Sequence, residues 1–157
     1  MAAFATILEL WRYPVSSMGG EQVDAAGLEP GGIVNDRRWG VVDLRDGSVA
    51  GPEGRRHWRS LPELSARLAG NLPQIGRGDG VWRDAGSAEA DALLSEHLGF
   101  PAALRPHTGF EQSADGRVAP RYQRDDLHVL STAAMEALAA LVPDGVEIGR
   151  ASCRERV

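Results

Sequence analysis

The hydrophobic positions of the first half of the chain fall in short runs separated by glycine, proline and acidic residues. Such runs predict strands at residues 4–13, at Glu21–Ala25 and at Trp39–Leu44. The third strand is followed by a turn at Asp46-Gly47 and a returning segment at Ser48–Ala50, which is the pattern of a β-hairpin. We therefore expect the first half of the chain to consist of short antiparallel strands.

The later part of the chain carries helical spacing. Ser87 is the predicted N-cap of a helix over Ala88–Leu98, and a glycine follows that helix directly. A second helix is predicted from about Thr132 to Val142, after a buried-type strand at residues 127–131. Its predicted packing face is made of Met135, Leu138 and Leu141.

The sequence of the middle of the chain predicts its secondary structure less clearly. Residues 61–70 fit both a strand and a short helix, and residues 71–86 suggest a glycine-rich connection. A strand is predicted at residues 100–106, and a long polar loop over 107–124. Many short strands with two late helices indicate an α+β, mainly β fold, with a small β-barrel-like domain at the N-terminus.

Charge excludes some function classes. All 17 basic residues are arginine, and the net charge is −5. Without residues 148–157, which hold three arginines and one glutamate, the net charge is −7. An acidic body argues against binding to nucleic acid or to an anionic membrane surface. The N-terminal segment has no basic region, long apolar stretch or cleavage-like site, so we expect a cytoplasmic protein.

No catalytic or metal site can be assembled from sequence spacing. The four histidines, at positions 57, 97, 107 and 128, lack metal-ligand spacing, and we expect surface or packing roles for them. Asp125-Asp126 reads as a pair of solvated turn charges rather than as an acid–base pair. The glycines of residues 76–80 precede no clear helix, and the single cysteine, Cys153, has no neighbouring histidine. We predict neither a catalytic residue nor a metal ligand.

One pair of stretches has the composition of an anion site. YPVSSMGGE, residues 13–21, places the hydroxyls of Ser16 and Ser17 in a turn directly after a predicted strand. NDRRWGVVD, residues 35–43, places Arg37 and Arg38 at the start of the next clear strand. Hydroxyls, turn N–H groups and a guanidinium fork are groups that hold a phosphate. The alternative is an ordinary turn beside a surface ion pair to the neighbouring Asp36.

These stretches also resemble a known family. Residues 8–43, LELWRYPVSSMGGEQVDAAGLEPGGIVNDRRWGVVD, resemble the opening of the N-terminal β-barrel domain of MOSC-domain proteins, which include molybdenum cofactor sulfurases and amidoxime-reducing proteins. Residues 126–145 resemble the strand–Ser/Thr–helix segment that leads into the family's second domain. The resemblance implies an N-terminal domain at residues 1–106 and a linker with a truncated start of the MOSC domain at 107–147.

The resemblance implies a molybdenum cofactor (molybdopterin) in the intact parent protein. Ser17 and Arg37 match family residues that contact the phosphate end of the cofactor. Ser16 stands where the family usually has lysine, so Arg38 or Arg12 would supply the missing charge. The family's other attributes are molybdenum ion binding, pyridoxal phosphate binding and catalytic activity, namely sulfur transfer or reduction of N-oxygenated substrates. A sulfur-donor or electron-donor protein is the implied partner.

The last ten residues, IGRASCRERV, match nothing in the family pattern. Their back-translation resembles a common short-read sequencing adapter, so we expect residues 148–157 to be an artefact and Cys153 not to be a molybdenum ligand. As written, the chain would then lack the metal-binding half of the family and be inactive. The alternative function is a cofactor-free β module that binds a substrate or a partner protein.

Overall fold

The computed structural model describes residues 5–51, 54–108, 117–120 and 127–141. These residues form nine short strands, two α-helices and two 3-10 turns. The strands are β1 (Trp11–Arg12), β2 (Glu21–Gln22), β3 (Leu28–Glu29), β4 (Gly32–Ile33), β5 (Trp39–Asp43), β6 (Ser65–Ala69), β7 (Leu72–Gly76), β8 (Arg83–Asp84) and β9 (Ala102–Pro106). The helices are α1 (Ala88–Leu98) and α2 (Thr132–Ala139), and the 3-10 turns are Arg56–Trp58 and Leu61–Glu63.

The described strands are distributed among four small antiparallel sheets. β6, β7 and β8 form a three-stranded sheet, and β1 pairs with β2, β3 with β4, and β5 with β9. Single parallel bridges between Val15 and Trp39 and between Gly19 and Ser65 join neighbouring sheets. The predicted α+β, mainly β class is confirmed. Closure of these sheets into a barrel stays a prediction.

The β5–β9 pair forms the centre of the molecule. Val41 of β5 lies opposite Leu104 of β9, and both are fully buried. Helix α1 packs on β9, where the side chain of Asp91 accepts a hydrogen bond from the Leu104 N–H at 2.8 Å. The core contains Trp58 and Leu94 as well, and its buried members all lie between Val15 and Leu104.

Helix α1 has the predicted bounds because both of its ends are specified locally. The Ser87 hydroxyl accepts a hydrogen bond from the Ala90 N–H at 3.1 Å. At the other end, Gly99 adopts φ 77°, the left-handed conformation that glycine takes without strain. The predicted hairpin after β5 is also confirmed, since Val42 pairs with Val49 in an antiparallel bridge.

The structure corrects two predictions between residues 4 and 86. Of the strand expected at 4–13, only β1 forms among the described residues. Of the connection expected at 71–86, residues 72–76 form β7, because Pro73 and Ile75 face the core and pair with β6. The ambiguous segment 61–70 contains both structures, a 3-10 turn followed by β6.

The predicted buried strand at 127–131 is wrong. Residues 127–130 are not in a strand, and Val129 is 84% exposed. An apolar run forms a strand only when another backbone pairs with it, and no described strand does so here. Helix α2 forms with its predicted start, but Leu138 and Leu141 of its predicted packing face are exposed, and no α2 residue is buried. Neither α1 nor α2 is long and apolar enough to span a bilayer.

The two serine caps provide a matched pair for a stability test. Ser131 caps α2 as Ser87 caps α1, with the Ala134 N–H bonded to its hydroxyl at 3.1 Å. We expect Ser87→Ala to lower the free energy of unfolding by about 1 kcal/mol, since α1 packs on the core. Ser131→Ala should change it by a few tenths at most, because α2 buries no side chain. Urea denaturation of both variants checks this, and equal losses would contradict the description of α2.

Candidate functional site

Two loops that are separated by 17 residues of the sequence lie side by side. We call residues 13–17 and 35–39 the paired loops. The Ser16 N–H donates to the Trp39 carbonyl at 2.8 Å, and the Trp39 N–H donates to the Pro14 carbonyl at 3.3 Å. The Arg37 N–H donates to the Tyr13 carbonyl at 2.6 Å. The sequence alone predicted both stretches, and the structure brings them together.

Asp36 connects the paired loops through its side chain. Its Oδ1 accepts a hydrogen bond from the Tyr13 N–H at 2.6 Å. Its Oδ2 accepts one from Arg37 Nε at 2.5 Å. The Asp36 side chain is only 9% exposed, so these charge-assisted bonds are shielded from water. They fix the plane of the Arg37 guanidinium, whose side chain is 26% exposed.

Backbone strain is concentrated in the paired loops. Ser17 has φ 67°, Asn35 has φ 62° and Arg37 has φ 49°, and these are the only positive-φ residues other than glycine in the described ranges. Such a conformation costs roughly 1–2 kcal/mol for most L-residues, and asparagine tolerates it best. Asn35 thus stands at a position that suits glycine or asparagine. Strain of this kind collects at functional sites, where packing of the surrounding structure maintains it.

All four predicted binding residues lie in the paired loops, but their surroundings differ. Ser16, Ser17 and Arg37 are partly buried. Arg38 is exposed, and its nearest acidic partner is Glu29, at 3.9 Å between Nη2 and Oε2. The Ser16 and Ser17 hydroxyls and the Arg37 guanidinium are therefore less exposed than the Arg38 side chain.

Arg12, the other candidate for the missing positive charge, is engaged elsewhere. Its Nε and Nη2 both lie within 2.9 Å of Glu21 Oε1. The same oxygen accepts the Leu68 N–H at 3.1 Å. Arg12 and Glu21 therefore connect the β1–β2 pair to β6. This ion pair engages the charge of Arg12 that was considered for the phosphate site.

His107 lies beside the paired loops, where its sequence position gave no indication of a role in the site. Its Nε2 lies 3.2 Å from Ser16 Oγ, and its Nδ1 lies 3.1 Å from the Val118 carbonyl oxygen. Its N–H donates to the Arg38 carbonyl at 2.7 Å. The residue comes directly after β9, so the antiparallel pairing of Trp39 with Pro106 carries it to the paired loops. Only the β5–β9 register would have predicted this position.

The comparison with protein families falls on the same part of the chain. Residues 4–66 match the family model described as the MOSC N-terminal beta barrel domain. This is the family that the sequence resembles, and the match includes both of the paired loops. No curated protein and no solved structure matches the chain.

The donor groups of the paired loops fit a phosphate rather than a metal. Ser16, Ser17 and Arg37 offer hydroxyl and guanidinium donors, which bind phosphate oxygens. Within the described ranges, no group of three histidine, cysteine, aspartate or glutamate residues could hold a metal ion. Cys153 and Asp125-Asp126 lie outside the described residues. The donor set of the paired loops therefore suits a phosphate group.

A second polar cluster lies at the other end of β5. Asp43 is 1% exposed and accepts hydrogen bonds from the Arg45 side chain, with Nη2 at 2.6 Å. The Arg45 guanidinium also lies 4.3 Å from the centre of the Phe100 ring. The hydrogen bond from the Arg45 side chain lowers the pKa of Asp43 from 3.8 to about 2, against the opposing effect of burial. His57 Nε2 lies 3.9 Å from Asp43 Oδ2, and the His57 ring contacts the Trp58 and Phe100 rings, with centroid distances of 5.1 and 5.2 Å.

Asp43 should make stability depend on pH in the acid range. Because its pKa is lower in the folded state, the carboxylate stabilises the fold above about pH 4, and this contribution is lost as the pH falls from 4 towards 2. We expect Asp43→Asn to lower the free energy of unfolding at pH 7 by about 1.5–3 kcal/mol. The difference from wild type should shrink below pH 4, as measured by urea denaturation. Asp79→Asn, at an exposed turn, is the control, and a difference that does not vary with pH would contradict this role.

Proposed function

We propose that this chain supplies the N-terminal part of a molybdenum-cofactor-binding MOSC protein. In this proposal the paired loops hold the phosphate end of the cofactor, with Ser16, Ser17 and Arg37 as the main binding residues. Arg38 would add a weaker contribution from the exposed side. The observation that carries the proposal is that the predicted phosphate donors meet where the described backbone is most strained.

The orientation of Arg37 supports this role. Its Nε donates to Asp36 Oδ2, and this contact orients the guanidinium that would meet a phosphate. A guanidinium binds a phosphate through two parallel hydrogen bonds, which gives geometric specificity as well as affinity. Each hydrogen bond between charged groups contributes about 1.5–3 kcal/mol. An arginine already held in place loses less side-chain entropy on binding than a free one.

The chemistry of the parent protein is part of the proposal. When bound, the cofactor would supply sulfur transfer or molybdenum-dependent reduction of N-oxygenated substrates. The residues of the paired loops would bind the cofactor and orient it, and a sulfur-donor or electron-donor protein would be the partner. No group of three histidine, cysteine, aspartate or glutamate residues within the described ranges could hold a metal ion, so the proposal gives these residues no role towards the molybdenum.

The domain boundary near residue 106 is also part of the proposal. Among the described residues, the buried core ends at Leu104 in β9, and no α2 residue is part of it. Residues 1–106 would then form the N-terminal domain, and residues 107–147 would form the linker and the start of the MOSC domain. His107 and Val118 lie just beyond the boundary, and their bridge adds to the edge of the site.

Binding of inorganic phosphate tests the proposed function. We expect phosphate to bind the wild-type chain at pH 7 and to raise its thermal midpoint further with each increase of phosphate concentration above the Kd. Arg37→Ala should weaken binding by about ten- to a hundredfold, because it removes a charge-assisted donor. Isothermal titration calorimetry at constant ionic strength measures the phosphate affinity of both chains. A thermal melt at increasing phosphate concentration measures the midpoint.

Two further arginine variants serve as references. Arg55→Ala removes one positive charge at an exposed position outside the paired loops, where Arg55 lies 3.6 Å from Asp46, and binding should stay at the wild-type level. Arg38→Ala should give a loss smaller than that of Arg37→Ala, because Arg38 is exposed. If phosphate does not bind, or binds equally well to Arg37→Ala, the proposal fails. A β module that binds a substrate or partner without a cofactor would then be the better account.

A further inference from the structure

We infer that His107 is an additional anion-binding residue and that its protonation turns the Ser16 hydroxyl towards the ligand. The inference rests on the proposed phosphate site and adds a pH dependence to it. Its basis is the contact of 3.2 Å between His107 Nε2 and Ser16 Oγ. The family model that matches the chain ends at residue 66, so it does not include His107.

The Val118 carbonyl determines which ring nitrogen of the neutral imidazole carries the proton. A carbonyl oxygen only accepts hydrogen bonds, so Nδ1, at 3.1 Å from it, must be the protonated nitrogen. Nε2 is then the unprotonated nitrogen, and it accepts the hydrogen bond that Ser16 O–H donates. In this state the single hydroxyl proton of Ser16 is used within the protein and does not serve an anion.

Protonation of Nε2 reverses the direction of this hydrogen bond. The imidazolium donates from both nitrogens, so Nε2–H now donates to Ser16 Oγ, and Nδ1–H still donates to Val118. The Ser16 hydroxyl proton is then released to donate to a ligand. A positive charge appears at the same time, next to a hydroxyl that neighbours Ser17. Both changes favour an anion, so the proton and the anion should bind cooperatively.

The imidazole is held in place, which makes it act on Ser16 rather than swing away. The His107 ring packs directly over Gly40 in β5, where an added Cβ would lie 2.5 Å from Cε1 and 2.8 Å from Nε2. The His107 N–H is bonded to the Arg38 carbonyl at 2.7 Å. A glycine at this position is therefore needed to admit the ring.

The elements packed around His107 carry charges of both signs among the described residues. The cations are Arg37 and Arg38 before β5, Arg105 two residues back in β9, and Arg117 before Val118. The anions are Asp36, which is bonded to Arg37, Asp91, which lies 2.9 Å from Arg105, and Glu29, which lies 3.9 Å from Arg38. Three of these four arginines therefore face a carboxylate. A bound dianion would add negative charge beside the imidazolium and favour it, which is the source of the expected coupling.

Sulfate is the probe for this inference, because it stays a dianion between pH 5 and 8 while phosphate changes its charge. We expect sulfate to bind about tenfold more tightly at pH 5.5 than at pH 7.5, at ionic strength held constant with sodium chloride. Coupling is reciprocal, so saturating sulfate should raise the midpoint of the His107 titration by about one pH unit. Calorimetry measures the first quantity, and NMR of the histidine ring protons measures the second.

Three variants separate this role from a structural one. His107→Gln should bind sulfate with the same affinity at both pH values, and Ser16→Ala should reduce the pH dependence while leaving His107 in place. His97→Gln is the control, since His97 bonds to the Ser60 carbonyl at 2.8 Å, outside the site, and it should behave as wild type.

The outcomes distinguish the inference from the proposed function. Sulfate binding that depends on Arg37 but is equal at the two pH values would overturn the role of His107 and leave the phosphate site standing. The absence of Arg37-dependent binding at every pH would overturn both. If His107→Gln does not fold, the shift of the wild-type titration with sulfate and the Ser16→Ala result still decide the matter.

Discussion

The candidate site depends on one partly buried carboxylate. Asp36 accepts the Tyr13 N–H with one oxygen and Arg37 Nε with the other, and its side chain is 9% exposed. The backbone hydrogen bonds between the paired loops lie around these two contacts of Asp36. Each strained residue costs roughly 1–2 kcal/mol. Without the Asp36 contacts, the two loops would therefore lower their free energy by relaxing to ordinary turns. With them, the loops keep a shape that presents donors outward.

The rest of the fold supports that carboxylate. Strand β5 begins inside the second of the paired loops, and its pairing with β9 fixes where that loop lies relative to the core. Helix α1 covers β9, and the Asp43–Arg45 pair secures the far end of β5. The same β5–β9 register delivers His107 to Ser16, although the two residues are 91 positions apart. The packed β5–β9 pair thus offsets the strain of the paired loops and positions His107 beside them.

Local signals predicted the parts of the structure that depend on local chemistry. The Ser87 cap and Gly99 stop specify α1, and the Asp46-Gly47 turn specifies the hairpin after β5. Pairing between distant segments was not predictable in this way. His107 gave no local signal because its partner is set by β-sheet register, and residues 127–131 look like a strand but have no described partner. The donor residues and their grouping in one site were predicted from type, turn context and the family resemblance, whereas the contacts by which Asp36 joins the two loops were not.

Hydrogen exchange at the paired loops tests most directly whether Asp36 holds them together. The amides of Ser16, Arg37 and Trp39 each bond across the loops, so they should exchange slowly and through one common opening. In Asp36→Asn we expect all three to exchange faster by about ten- to a hundredfold, because a charge-assisted contact is lost. The Leu104 amide, bonded to Asp91, should keep its wild-type rate. Unchanged exchange at Ser16 and Trp39 in this variant would contradict the account.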